Sequence, residues 1–228
     1  MSYLPQLYDF LTRLGRNNDR EWFKTHRAEY DELRALWEAD LARLIADMAQ
    51  WDSRIAVQTP KTAAYRIYRD IRFREDKSPY KTYFSASLGP FGKKLDHAGY
   101  YLQMGPDVKG TDIESGLYGG LWCPDSATLR KLRKAFVDNI EEIRDILAEP
   151  RLQKAFPGWC GSMLKTVPKG YERDDPNADL LRLKDIGKWH PADLNFFDDP
   201  SWPEKASELF SLLRPLVDFI NYSIDEEV

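Results

Sequence analysis

Cysteine and histidine are scarce. Two cysteines in 228 residues, Cys123 and Cys160, are too few for a disulfide framework or a cysteine-based metal site. Reduced core thiols are the expected role, for Cys160 even within the conspicuous Gly158-Trp-Cys-Gly161. His26, His97 and His190 stand too far apart for metal-ligand spacing, so no metal site is expected. No stretch approaches the ~20 apolar residues of a membrane span, so no membrane contact is expected. The start, Met1 to Phe10, lacks the basic and apolar regions of a secretory signal, which makes the cytoplasm the expected address. A glycine-rich phosphate loop is missing too: Gly116, Gly119 and Gly120 lack the lysine and helix start that should follow. Positive charge is not in excess, because the chain carries a net −4. Contact with a polyanion must therefore be local.

What is present begins with helical periodicity. Leu4, Leu7, Leu11 and Leu14 recur at helical spacing, with Gly15 at the close. Asn18 with Glu21 reads as a capping box. It would open one helix whose apolar stripe runs through Trp22, Phe23, Tyr30, Leu33, Trp37, Leu41, Leu44, Ile45 and Met48. Between about 64 and 118 the pattern becomes alternating. Residues 83–88 and 99–104 read as strands, and a third run lies between Gly105-Pro106 and Gly119-Gly120. The short connections imply antiparallel pairing. Helix returns afterwards, from Asp125 to a stop at Pro150, from Asp175-Pro176 to Gly187, and from Ser201 onward with a kink at Pro215. The expected fold is α+β, an antiparallel meander packed against long amphipathic helices from the N- and C-terminal parts. A single domain over 1–228 is expected, helical over 1–52, β-rich over 64–120 and helical over 125–228.

Charge concentrates in one place. The window Lys61–Lys81 holds seven bases (Lys61, Arg66, Arg69, Arg72, Arg74, Lys77, Lys81) against three acids (Asp70, Glu75, Asp76). It nets +4 in a chain of −4, so the remainder carries −8. As a strand, Tyr65 to Phe73 puts Tyr65, Ile67, Arg69, Ile71 and Phe73 on one face. As a helix, it groups Arg66, Arg69, Asp70 and Phe73. Either way arginine neighbours Asp70, and its forked donors suit a planar anion.

The spacing Arg66-x-x-Arg69-Asp70-x-Arg72-Phe73-x-x-Asp76-Lys77-x-x-Tyr80 resembles the signature of a bacterial family, domain of unknown function 2461. So do Asn17-Asn18 with Trp22-Phe23, Gly99-Tyr100, Pro168-Lys169-Gly170 and Pro215 to Phe219. The resemblance covers nearly the whole chain. It carries over no catalytic residues.

Four readings of the segment follow. The first is a site for a small anionic or phosphorylated ligand, bound by Arg66, Arg69, Arg72 and Lys77. Asp70 would orient the guanidinium groups, Tyr80 would line the site, and Asp76 and Lys81 complete the set. The second is an internal ion-pair lattice in an interaction protein, Arg66, Arg69 and Arg72 locked to Asp70 and Asp76. Nucleic acid is a disfavoured partner: Tyr65, Tyr68, Phe73, Tyr80, Tyr83 and Phe84 interleave with bases as stacking platforms do, against the acidic whole. The last is a metal-dependent phosphodiester hydrolase using Asp70 and Glu75-Asp-Lys77, or Asp76 as a general base. No cofactor is assigned by any of them.

Overall fold

The computed structural model describes residues 2–73, 75–94, 96–106 and 114–226. Its first elements are helices α1 (Leu4–Arg16), α2 (Arg20–Thr25), α3 (Arg27–Trp51) and α4 (Pro60–Ala63). Strands β1 (Phe84–Leu88), β2 (Gly99–Met104) and β3 (Gly116–Leu121) follow. Helices α5 (Ser126–Asp138), α6 (Ile140–Ala148), α7 (Pro150–Ala155) and α8 (Ala178–Leu181) lead to β4 (Ile186–Pro191). Helices α9 (Leu194–Asp198) and α10 (Trp202–Asp225) complete the order. The fold is α+β, with a four-stranded antiparallel sheet in the order β1-β2-β3-β4.

By contact density the chain divides into two compact units. The first comprises Met1–Gly92, Tyr101–Leu117 and Pro191–Glu208. Here α3 buries Tyr30, Leu33, Trp37, Leu41, Leu44, Ile45 and Met48, the stripe the periodicity gives. Phe84 of β1 receives that stripe, edge-on to Tyr30 at 5.9 Å and to Trp37 at 5.2 Å. Instead of one long helix from Asn18, the chain breaks at His26, which ends α2 and opens α3. The cause is local. Thr25 Oγ1 donates to Trp22 O at 2.8 Å, and His26 Nδ1 lies at the same 2.8 Å from that carbonyl, so side chains share an acceptor with the His26 N–H at 3.2 Å. The cap of α2 is also displaced by one residue. Asp19, not Asn18, accepts the Trp22 N–H.

The second unit comprises Lys93–Tyr100, Tyr118–His190 and Leu209–Val228. Its core gathers Leu132 and Phe136 of α5, Ile143, Phe156, Leu180, Leu181, Ile186 and the α10 face of Phe210, Leu213, Leu216, Val217 and Ile220. Asn139 divides the expected long helix into α5 and α6, its amide returning to Ala135 O. Pro150 opens α7 rather than merely stopping its predecessor, as its missing N–H permits. The expected helix from Asp175 to Gly187 is corrected most. Only α8 forms there, and Gly187 lies inside β4. Gly119 and Gly120 likewise sit within β3 instead of ending it. At Gly120 (φ 137°) an added Cβ would lie 2.2 Å from Ile186 O, so β3 and β4 meet where side chains are absent. Asn221 of α10 fixes Ala98 by accepting its N–H at 2.7 Å and donating to its carbonyl at 3.1 Å.

Candidate functional site

The charged segment is neither a regular strand nor a helix. It forms the outward half of an arm whose stem is antiparallel, with bridges Ala64 to Ala86 and Tyr68 to Tyr80. Tyr65 N–H donates to Ser85 O at 2.8 Å, Lys81 N–H to Ile67 O at 2.7 Å and Arg69 N–H to Pro79 O at 2.9 Å. Pro79 has no N–H to return, which limits regular pairing on that side.

The stem is anchored by its aromatic residues. Tyr80 is buried and stacks on Phe23 with ring centroids 4.1 Å apart. Asn18 holds the same residue from the backbone side, donating to Tyr80 O at 2.9 Å and accepting its N–H at 3.0 Å. Tyr80, expected to line a ligand site, packs its ring inward, and burial is the first cause that raises its hydroxyl's pKa. Phe73, expected on an apolar face, stands 93% exposed at the tip.

The ion pairs lie in solvent. Arg72 grips Asp70 with two side-chain hydrogen bonds, 3.0 and 2.7 Å, and its backbone N–H adds a third at 3.2 Å. The two side chains are 75% and 51% exposed, so the pair is no buried lattice. Those bonds hold the Asp70 carboxyl down at about 2, Arg72 side chain first, with Arg66 adding to the field. Arg69 pairs with Asp76 through Nη1. Asp76 also accepts Ser78 N–H at 2.9 Å and Ser78 Oγ–H at 2.6 Å. The Ser78 hydroxyl and then Arg69 depress its pKa far below the carboxylate range. Lys77 Nζ donates to Ile71 O at 3.1 Å, closing the turn from within.

Arg69, Asp70, Arg72, Asp76 and Lys77 thus share the outer arm, and Arg66, exposed, forms no ion pair among the described residues. Lys81 belongs to the stem instead, its ammonium 5.1 Å from the Tyr65 ring centroid and 5.8 Å from that of Tyr83. Arg74 lies outside the described residues.

A family model described as a conserved hypothetical protein, DUF2461, matches residues 6–219. The chain belongs to the DUF2461 family. No curated protein and no solved structure matches it. The DUF2461 match spans the whole arm and the helices beneath it.

Sequence reasoning missed residues that this DUF2461 chain uses to seat the arm. Arg34 donates to Tyr65 O at 3.0 Å and to Glu38 at 2.6 Å, with its guanidinium 4.9 Å from the Trp37 ring. Arg27 pairs with Asp31 and acts electrostatically on Tyr68 and Tyr80, and Arg20 acts on Tyr80 too. Arg20, Arg27 and Arg34 recur every seven residues, two helical turns, and that spacing was the available signal. Asp70 and Asp76 are committed to arginines, and the described residues contain no group of three His, Cys, Asp or Glu side chains placed to hold a metal ion. Chemically, the arm offers oriented guanidinium donors around an exposed ring.

Proposed function

We propose that the chain recognises an anionic or phosphorylated group through the outer arm, with Arg66 and Arg72 as donors, Arg69 and Lys77 beside them, and Asp70 and Asp76 as orienting carboxylates. The observation that carries this reading is exposure: the Arg66 and Arg72 side chains face water rather than the core, beside an exposed Phe73. An arginine pair in solvent contributes little to stability. Fork geometry fixed by a carboxylate, however, lowers the cost of engaging a second planar anion. We further propose that the two units act as one domain, in keeping with the unbroken family match, and that its setting is cytoplasmic, in keeping with two free thiols.

Phosphate and a phosphorylated peptide are the first probes, by titration calorimetry at low salt. Arg72→Ala and Arg66→Ala should each weaken binding clearly while leaving the melting temperature near that of wild type. If both variants bind as wild type does, the arm is not the recognising element.

The exposed rings favour one further reading, a single-stranded nucleic acid whose bases stack on Phe73 and on the half-exposed Tyr68. Its mark is a steep fall of affinity with salt together with loss on Phe73→Ala. A short oligonucleotide that fails to bind at low ionic strength removes it.

A further inference from the structure

Buried charged side chains away from the arm spend their hydrogen bonds inside the protein. Asp185 accepts the Cys123 N–H at 3.0 Å, beside the Cys123 thiol. Lys188 donates to Phe156 O at 3.2 Å and to Gly158 O at 2.7 Å. Arg133 ends on Leu181 O at 2.8 Å and Leu183 O at 2.9 Å. Such groups have little left to offer a ligand.

Arg27, the first residue of α3, differs. Its side chain is 52% exposed, and its ion pair uses a single nitrogen: Nε donates to both Asp31 oxygens, at 2.8 and 2.9 Å. Neither Nη has a hydrogen-bond partner among the described residues. Two rings fix where the fork stands. Its central carbon lies 6.0 Å from the Phe23 ring centroid and 5.5 Å from that of Tyr30, within the range of cation–π attraction. Arg72 is arranged alike on the outer arm, where Asp70 takes Nε and Nη2 and leaves Nη1. In both, a carboxylate orients one side of the guanidinium while the remaining donors stay unspent.

The stem brings a phenol to the same place. Tyr68 is 46% exposed, and its hydroxyl makes no hydrogen bond among the described residues. Its ring stands edge-on to Phe23 at 6.3 Å, so Phe23 is the shared neighbour of Arg27 and Tyr68. Electrostatics agrees. The Tyr68 phenol acts on the Arg27 charge more strongly than that of Tyr30, whose ring is 5.5 Å from it. Exposure alternates along the stem: Ile67 is buried, while Arg66 and Tyr68 both reach solvent. Two residues of extended chain separate them, about 7 Å. An anion at Arg66 therefore has a second station close by.

We propose that Arg27 and Tyr68 form a second anion subsite, so that the ligand is a small molecule with two phosphoryl groups, one at Arg66 and Arg72 and the other on the Arg27 Nη donors and the Tyr68 hydroxyl. This rests on the arm reading above and names the ligand class that it leaves open. Phosphoryl oxygens accept from both donor types. The −8 carried outside Lys61–Lys81 disfavours a long polyanion, and two neighbouring stations suit a compact one.

Titration calorimetry of the full chain at constant ionic strength compares fructose 6-phosphate with fructose 1,6-bisphosphate. Wild type should bind the bisphosphate about tenfold more tightly. Arg27→Ala should abolish that preference and keep fructose 6-phosphate binding within about twofold of wild type. Tyr68→Phe, which keeps the ring, should narrow the preference. Lys24→Ala removes an equal charge from exposed α2 surface and should leave both affinities as they are. Each change is at an exposed position, so melting should stay near wild type. The proposal is overturned if Lys24→Ala loses as much as Arg27→Ala, because net charge alone would then be felt. Equal affinity of wild type for the two sugars also overturns it and leaves the arm reading standing. If neither sugar binds, it falls as well, and the phosphate titration above decides the arm reading separately.

Discussion

The outer arm and the surroundings of Asp185 use similar side chains to opposite ends. On the arm, Asp70 and Asp76 meet arginines in solvent, and their pKa values fall because the charged form is well served. Asp185 is buried, accepts a backbone N–H, and has thiols as its neighbours. There the dominant cause is burial, which pushes Cys160 up to about 11. A carboxylate in water orients a partner at little energetic consequence, whereas a buried one fixes backbone conformation and the protonation of its neighbours. Exposure decides which.

The sharpest way to test that contrast is to disturb the backbone beside the buried region. Gly120→Ala adds a Cβ 2.2 Å from Ile186 O at a φ of 137°. Chemical denaturation should show a loss of about 3 kcal/mol or more, or an insoluble chain. A mild outcome would mean that β3 and β4 can separate freely. Next in size is Asn18→Ala, which removes both hydrogen bonds to Tyr80. A loss of about 1–3 kcal/mol is expected by the same measurement, together with faster amide exchange at Arg69 and Lys81 on the stem.

A smaller effect concerns His97. Its Nδ1 and Nε2 each lie 3.0 Å from a carboxylate oxygen, of Asp96 and Asp225, and both nitrogens donate only when the ring is charged. Burial opposes that charge, but the two carboxylates outweigh it and raise the pKa above 6.5. The contribution is therefore complete below pH 6.5 and lost as pH rises through the raised folded value. Melting temperatures of wild type and His97→Gln should converge across that window. Parallel curves would show that the ring is not charged. Least of all, Arg72→Ala should leave stability unchanged by melting, since its pair with Asp70 is in solvent. An early-melting Arg72→Ala would return the arm to the architectural reading.

Sequence alone made the helices and first strands legible wherever period and burial coincide. The α3 stripe and the β2 run are the clearest cases, because one face of each is core. It misled where they part. Ile67, Ile71 and Phe73 alternate as a strand face should, yet only Ile67 is buried, since the arm leaves the sheet and its tip has nothing to pack on. Strand β4 went unseen because Ile186-Gly-Lys-Trp-His-Pro191 buries glycine and lysine, which no hydrophobic alternation marks. Charge density marked the segment that forms the outer arm, but not its partners on α2 and α3. The Asp185 neighbourhood was illegible for a different reason. Its link to Cys123 spans 62 positions, and spacing rules reach only a few turns.

Asn18 and Asn221 share one geometry: each carboxamide answers both the N–H and the C=O of a single extended residue, Tyr80 just ahead of β1 and Ala98 just ahead of β2. An amide so placed imitates the neighbouring strand that is missing at that position. The approach to each strand is thus held through the main chain, whatever side chain the bonded residue carries. Replacing either by aspartate would turn its donor into an acceptor facing a carbonyl, leaving two oxygens opposed with no proton between them.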